Sequence, residues 1–341
     1  MNARRRIAAG SLTAALSLSA LAACGDDAAS NESGGTKEVQ LMMFPGVAYR
    51  LPVLIAEQEG YFKDEGISIK HIAQPGNIPG IQGLVSTRSD IGQFAVATTA
   101  QAKQAGQDVK FFCGLLPEVQ SSIVANADSK LPSVEDGATW QEVLKALDGA
   151  KFGVQVPVGA GFQLLTAAAF AEAGVKDLTY VNVGGSNTTT GPALDNGDVE
   201  AAIASPPGTQ FLTADGKHKV LAYLPDGPET YKEWYGSGWG ATTAWLDKNP
   251  ELAEGFCSAV QKGIDDVKDP ANKDEVKQVL MKDTGVPANI ADLVLPTYDV
   301  YSTALPKESF DATLEGYVDA GIVKDAPAVT YDTLVDDKSG K

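Results

Sequence analysis

Along this chain the hydrophobic positions change period repeatedly, from two to about 3.6 and back. Residues 39–44 form an apolar run halted by Pro45-Gly46, which predicts a buried strand. Residues 51–59 put Leu51, Leu54, Ile55 and Gln58 on one side of a helix, and residues 67–72 alternate as a second strand. The same reading predicts strands at 90–95, 109–115, 121–125, 152–156, 178–183, 199–204 and 220–224. Helices fall among them at 80–86, 98–105, 139–147 and 161–173. Beyond Trp245 helical spacing takes over, at 252–267, 274–282, 290–294 and 309–320. Such alternation predicts an α/β protein built from βαβ units on largely parallel sheets.

One short pattern occurs twice. Leu84-Val85-Ser86-Thr87-Arg88-Ser89-Asp90-Ile91-Gly92 ends a helix, turns and enters a strand at an aspartate, and Leu194-Asp195-Asn196-Gly197-Asp198-Val199-Glu200-Ala201 does the same further on. Two similar α/β lobes explain the repeat, and 341 residues exceed what a single core usually serves. The expected division is a first lobe over 38–125, a second over 126–224, and a return to the first lobe with C-terminal helices over 225–341.

The N-terminus reads as an address. Arg4, Arg5 and Arg6 precede an uncharged stretch from Ile7 to Ala20, which closes on Leu21-Ala22-Ala23-Cys24 and turns polar at Gly25-Asp26-Asp27. That apolar run is shorter than the roughly 20 residues of a membrane-spanning helix, so export and cleavage fit it better. Small residues ahead of a cysteine resemble the lipobox of bacterial lipoproteins, which implies that residues 1–23 are removed and that Cys24 carries the lipid. Two acyl chains anchor stably where one is marginal. Residues 24–37, small and polar, are then a flexible tether. Cys113 and Cys257 are the cysteines left, in an oxidising location; a disulfide and two buried thiols both fit them.

Composition narrows the function classes. With 27 basic against 44 acidic residues the net charge is −17, and a chain this acidic is repelled by nucleic acid. At 44% hydrophobic and 21% charged residues the balance is that of a globular protein.

The stretch Glu57-Gln58-Glu59-Gly60-Tyr61-Phe62-Lys63-Asp64-Glu65-Gly66-Ile67 resembles a motif of the nitrate-, sulfonate- and taurine-type substrate-binding proteins of ABC importers. Ser89 to Gly92, Gly106-Gln107-Asp108-Val109-Lys110, Leu147 to Val154 and Gly197 to Ala202 follow in the order that family shows. The resemblance spans residues 38–265 and implies a type II periplasmic-binding-protein-like fold, two α/β lobes with a ligand cleft between them. It also implies a solute as ligand, an ABC permease as partner, no cofactor, and a monomer held outside the cytoplasm by its lipid. The same resemblance reaches the thiamine-pyrimidine-synthase-like domain family. That opens two alternatives, a receptor for a thiamine-precursor pyrimidine and an iron-dependent synthase. The cysteine-rich signature of the synthases is absent, and His71 and His218 lack neighbours at metal-ligand spacing.

In open α/β sheets ligands bind beyond the carboxyl ends of strands. That rule selects Phe44, Tyr49 and Arg50 after the first strand, Asn77 after the second, and Gln93 and Phe94 at the third. In the second lobe it selects Gly159, Ala160, Gly161 and Phe162, then Ser186, Asn187 and Thr188, then Ser205, with Trp239 on the return. Two readings fit Arg50, a bidentate grip on an anion and an ion pair with one of many acids. Two also fit Gly161, an anion-binding helix start and tight packing. The Gly184 to Gly191 stretch supplies ligand hydrogen bonds or a helix cap, and each aromatic is either a cleft wall or core. No Gly-x-Ser-x-Gly elbow or Walker sequence occurs, and the glycines near Gly159 lack the dinucleotide pattern, so no catalytic residue is expected. The expected function is a membrane-tethered receptor for a small organic anion: a sulfonate, a nitrate- or taurine-like solute, or an aromatic acid.

Overall fold

The computed structural model describes residues 36–45, 48–184, 187–232, 234–324 and 329–337, and the side chains of these except Ala48, Asn187 and Thr188. The expected signal segment, Cys24, the expected tether up to residue 35 and Ser186 lie outside the described residues.

The chain builds two five-stranded sheets of the same plan. The first uses β1 (Lys37–Met43), β2 (Ile67–Ala73), β3 (Ile91–Ala95), β4 (Val109–Leu116) and β10 (Ser237–Thr242), in the order β2-β1-β3-β10-β4. The second uses β5 (Ser122–Asn126), β6 (Lys151–Val154), β7 (Thr179–Asn182), β8 (Ala201–Ala204) and β9 (His218–Tyr223), in the order β7-β6-β8-β5-β9. In each sheet the fourth position is antiparallel to its neighbours and is filled by the strand through which the chain enters from the other sheet. The sheets are therefore parallel except at one strand each, and the chain crosses between them after β4 and after β9. The boundary expected at residue 125 falls a strand earlier, because β5 pairs with β8 and β9 and belongs to the second sheet.

Helices α1 (Leu51–Gln58), α2 (Tyr61–Asp64), α3 (Asn77–Val85) and α4 (Val96–Gln104) connect the first strands. Helices α5 (Trp140–Lys145), α6 (Gly161–Glu172), α7 (Asn187–Asp195) and α8 (Gly208–Thr213) do so in the second lobe, and α9 (Glu229–Lys232) lies on the return. After β10 come α10 (Thr243–Lys248), α11 (Pro250–Lys268), α12 (Lys273–Thr284), α13 (Ala288–Val294), α14 (Lys307–Asp319) and α15 (Tyr331–Leu334). The apolar faces of α10 to α13 cover one side of the first sheet, with Phe112, Trp239 and Phe256 at the centre. A disulfide joins Cys113 of β4 to Cys257 of α11, with Cα atoms 5.6 Å apart.

The larger core runs from one sheet to the other. Phe94 and Phe111 of the first lobe and Ile123 and Phe152 of the second share it with Tyr231, Trp234, Tyr235, Phe310 and Tyr317. Trp234 meets Tyr317 edge-on at 4.8 Å, and Tyr235 lies 4.7 Å from Phe310. The return segment and α14 thus brace the crossover, while Val335 pairs with Phe111 on the outer edge of β4. Among the described residues no helix is long and apolar enough to cross a membrane.

Candidate functional site

The start of α4, directly after β3, meets the start of α6, the helix that follows β6, so strand-end loops of the two lobes come together at a seam. Contacts across this seam define it. A Cβ placed on Gly161, the first residue of α6, would come 2.6 Å from the Cβ of Ala97 in the first turn of α4. The bare Cα of Gly161 is what lets the two helix starts approach, so its close-packing reading is the one realised. Gln120 on the first crossover donates to the Thr297 carbonyl at 2.7 Å.

Uncharged hydrogen-bonding groups line the seam. On the first lobe Gln74, directly after β2, donates its amide to the Gln93 carbonyl at 2.8 Å, and the Gln93 side chain reaches Ser237 at 3.4 Å. Asn77 accepts from the Ala95 amide at 3.3 Å, which pins the start of α3 to the end of β3. On the second lobe the Ser205 hydroxyl lies 3.3 Å from that of Ser121, and Tyr231 lies 3.3 Å from Thr166 on α6. Ser121 also bonds Tyr231, so hydroxyls run from the end of β8 through both crossovers to α6. Burial, which lacks any charge to offset it, pushes the Tyr231 phenol well above its ordinary value. Gly159, at φ +89°, donates its amide to Gln163 at 2.8 Å and so turns the loop back on α6.

Helices α3, α4 and α6 begin here at Gly76, Ala95 and Ala160, none of which supplies a side-chain cap, and no acid occupies their first turns. By contrast α5, away from the seam, carries a full capping box from Thr139 and Glu142. Uncapped helix starts leave N–H groups and the positive end of the dipole available.

Several expected site residues lie elsewhere. Arg50 is held by Asp283 of α12 at 2.7 Å, with the two side chains 17% and 16% exposed, so the ion-pair alternative is the one formed. Desolvation raises the Asp283 carboxyl, and the charges of Arg50 and His71 oppose that rise only in part. Tyr49 packs into the helical layer behind the first sheet, where burial raises its phenol. Phe94 and Trp239 are not at a rim, since both are fully buried. The Phe94 ring occupies space left by Gly80 and Gly92, and Trp239 meets Phe256 edge-on at 5.4 Å on the helix side of the sheet. Phe44 and Phe162 are half-buried, Phe162 against the shared core. Asn187 and Thr188 open α7.

Ser121, Thr166 and Tyr231 are candidate-site members that strand-end reasoning passed over, whereas Gln74, Gln163 and Ser237 lie in the strand-end loops it selects. The first three become neighbours only through the double crossover. The histidines are apart: His71 bonds Glu57 at 2.6 Å, and His218 lies 3.1 Å from the Leu212 carbonyl. Among the described residues no three His, Cys, Asp or Glu side chains could together hold a metal ion.

Two mixed α/β sheets exchanging one strand each, with a polar seam between them, make the periplasmic-binding-protein fold. The family model described as NMT1/THI5-like matches residues 48–273, and the chain belongs to that family. No curated protein matches the chain. Among solved structures, the alkanesulfonate-binding protein SsuA of Xanthomonas axonopodis pv. citri, bound to MOPS, is similar with a TM-score of 0.70 at 16% identity; the match covers 89% of this chain and 99% of that one. The aliphatic sulphonate-binding SsuA of Escherichia coli gives 0.69 at 16% identity, over 88% and 92%. The nitrate-binding protein NrtA of Synechocystis PCC 6803 gives 0.68 at 14% identity, over 89% and 87%.

Proposed function

We propose that this protein is an extracytoplasmic receptor that captures a small solute between its lobes and delivers it to the permease of an ABC importer. The observation that carries the reading is the seam, where the starts of α4 and α6 meet and uncharged hydrogen-bonding groups gather at the strand ends of each lobe. A solute touching both sides favours the closed arrangement by its differential affinity. The sulfonate- and nitrate-binding neighbours and the family agree with this role. In this reading Cys24 carries the lipid that holds a monomer at the membrane surface.

Of the features expected for an organic anion, the open starts of α3, α4 and α6 support one, and Arg50 is committed to Asp283. The synthase alternative gains nothing from His71 and His218, which are tied to separate partners.

A thermal-shift screen of small solutes tests the proposal. A solute at about 100 times its Kd adds about 2.7 kcal/mol of stability. At least one small polar solute is expected to raise the midpoint, and Cys24→Ser is expected to move the protein from the membrane fraction to the soluble one. No stabilisation by any solute would overturn the receptor reading.

A further inference from the structure

The geometry points to a narrower identity for the solute: where the first lobe grips it, it is uncharged and presents an N–H or O–H donor to the side-chain carbonyl of Gln74. This rests on the receptor reading above.

The first step is charge. The strand-end stretches 74–80, 93–99, 155–163 and 204–210 contain no Lys, Arg, His, Asp or Glu. The loop after β1 ends in Arg50, whose guanidinium Asp283 neutralises at 2.7 Å. The first crossover contributes Glu118, an acid, which accepts from Tyr223 at 3.2 Å. An anion entering the seam therefore meets no unpaired cationic side chain from these segments, and an acid lies on the crossover. Water screens more distant charge beyond about 8 Å.

The second step is the polarity of the buried groups. Gln74 is 1% exposed, and its Oε1 has no hydrogen-bond partner. The orientation of this carboxamide is fixed by its own amide nitrogen, which donates to the Gln93 carbonyl at 2.8 Å. Turning it over would set two oxygens against each other, so Oε1 is an acceptor. Packing at Gly80 is close, since a Cβ there would come 2.9 Å from both Nε2 and the Phe94 ring, and this holds the carboxamide in place. A buried acceptor without a donor is costly, and a ligand that supplies the donor recovers that cost. On the opposite lobe, in the first turn of α8, Thr209 Oγ1 and Gln210 Oε1 are also buried without partners. None of the three carries a charge. The Gln74 oxygen only accepts, so an oxyanion meets it lone pair against lone pair, whereas an amide, urea-like or amino group offers it a hydrogen; the Thr209 hydroxyl and the Gln210 carboxamide can serve as donor or acceptor. Discrimination by an unpaired polar group is the strong kind, because the wrong ligand leaves that group buried and unmet.

The test uses isosteric pairs that differ in an N–H₂ group against an oxyanion: urea and nitrate, methanesulfonamide and methanesulfonate, nicotinamide and nicotinate. Each is titrated calorimetrically into the full acylated chain in detergent. At least one nitrogen-bearing member is expected to bind about tenfold or more tighter than its twin, and Gln74→Leu is expected to erase that preference. The wild-type comparison stands alone if the variant does not fold. Tighter binding of the oxyanion twins, or no binding by either member of every pair, would overturn the inference. Oxyanion binding leaves the receptor reading intact, whereas a solute screen with no stabilisation at all removes that reading as well.

Discussion

At the residue scale, Arg50 and Asp283 illustrate how one partner changes the role of a side chain. Arg50→Ala leaves the Asp283 carboxylate half-buried without its cation. The expected loss is roughly 2–4 kcal/mol, which denaturant unfolding measures, and replacing both residues by Met and Leu should restore most of it. Solute affinity should change by less than about twofold, because Asp283 already holds the guanidinium. A Kd weakened tenfold or more by Arg50→Ala would return the arginine to the ligand site. Sequence reasoning could place Arg50 after β1 but had no means of finding Asp283, which lies more than two hundred residues on and meets it through helix packing. Gly161 is the opposite case. Its two readings both follow from a helix start, and only the distance to Ala97 separates them.

At the scale of elements, periodicity located nearly every strand. The exception is β10, Ser237–Thr242, whose sequence SGWGAT lacks an alternating pattern and reads as a loop. Its glycines are there because neighbouring backbone comes close: a Cβ on Gly238 would lie 2.8 Å from the Cys113 carbonyl. Strand β5 was legible as a strand but not as a member of the second sheet, since pairing is a long-range property. The small helix α2 and the long α11 offer a titration test of their docking. The Tyr61 hydroxyl donates to Asp266 at 2.6 Å, and that bond, followed by desolvation, raises the phenol from 10.0 to about 12. A group whose pKa is raised on folding contributes stability that is complete below its unfolded value and is lost as pH rises through the folded one. Stability should therefore decline between pH 10 and about 12, and Tyr61→Phe should flatten that decline in unfolding curves. An identical alkaline profile in the variant would show that this bond contributes nothing to the docking.

At the scale of the molecule, two sheets of one plan were legible from a repeated turn motif and from length. The crossovers were not, because they depend on which strand fills the fourth place of each sheet. That exchange explains the seam: each lobe contains a strand delivered from the other, so two segments connect the lobes, and in the proposed receptor these are the hinge. The Ser205, Ser121, Tyr231 and Thr166 hydroxyls lie along those segments and couple the second lobe's strand end to α6. In that receptor the aromatic core that both lobes share is expected to limit how far they part.

The most direct measurement of hinge closure is the distance between spin labels at Ile78, on the first turn of α3, and Val158, in the loop before α6. Both are well exposed, at 66% and 60%, and they stand on opposite lobes. Pulsed dipolar spectroscopy on the full chain is expected to show a longer distance population without solute and a single shorter one with the solute that stabilises the protein. Gly161→Val, which wedges the helix starts apart at Ala97, should hold the long population even with solute present. One unchanged distance, with and without a bound solute, would contradict a receptor that works by closing its lobes.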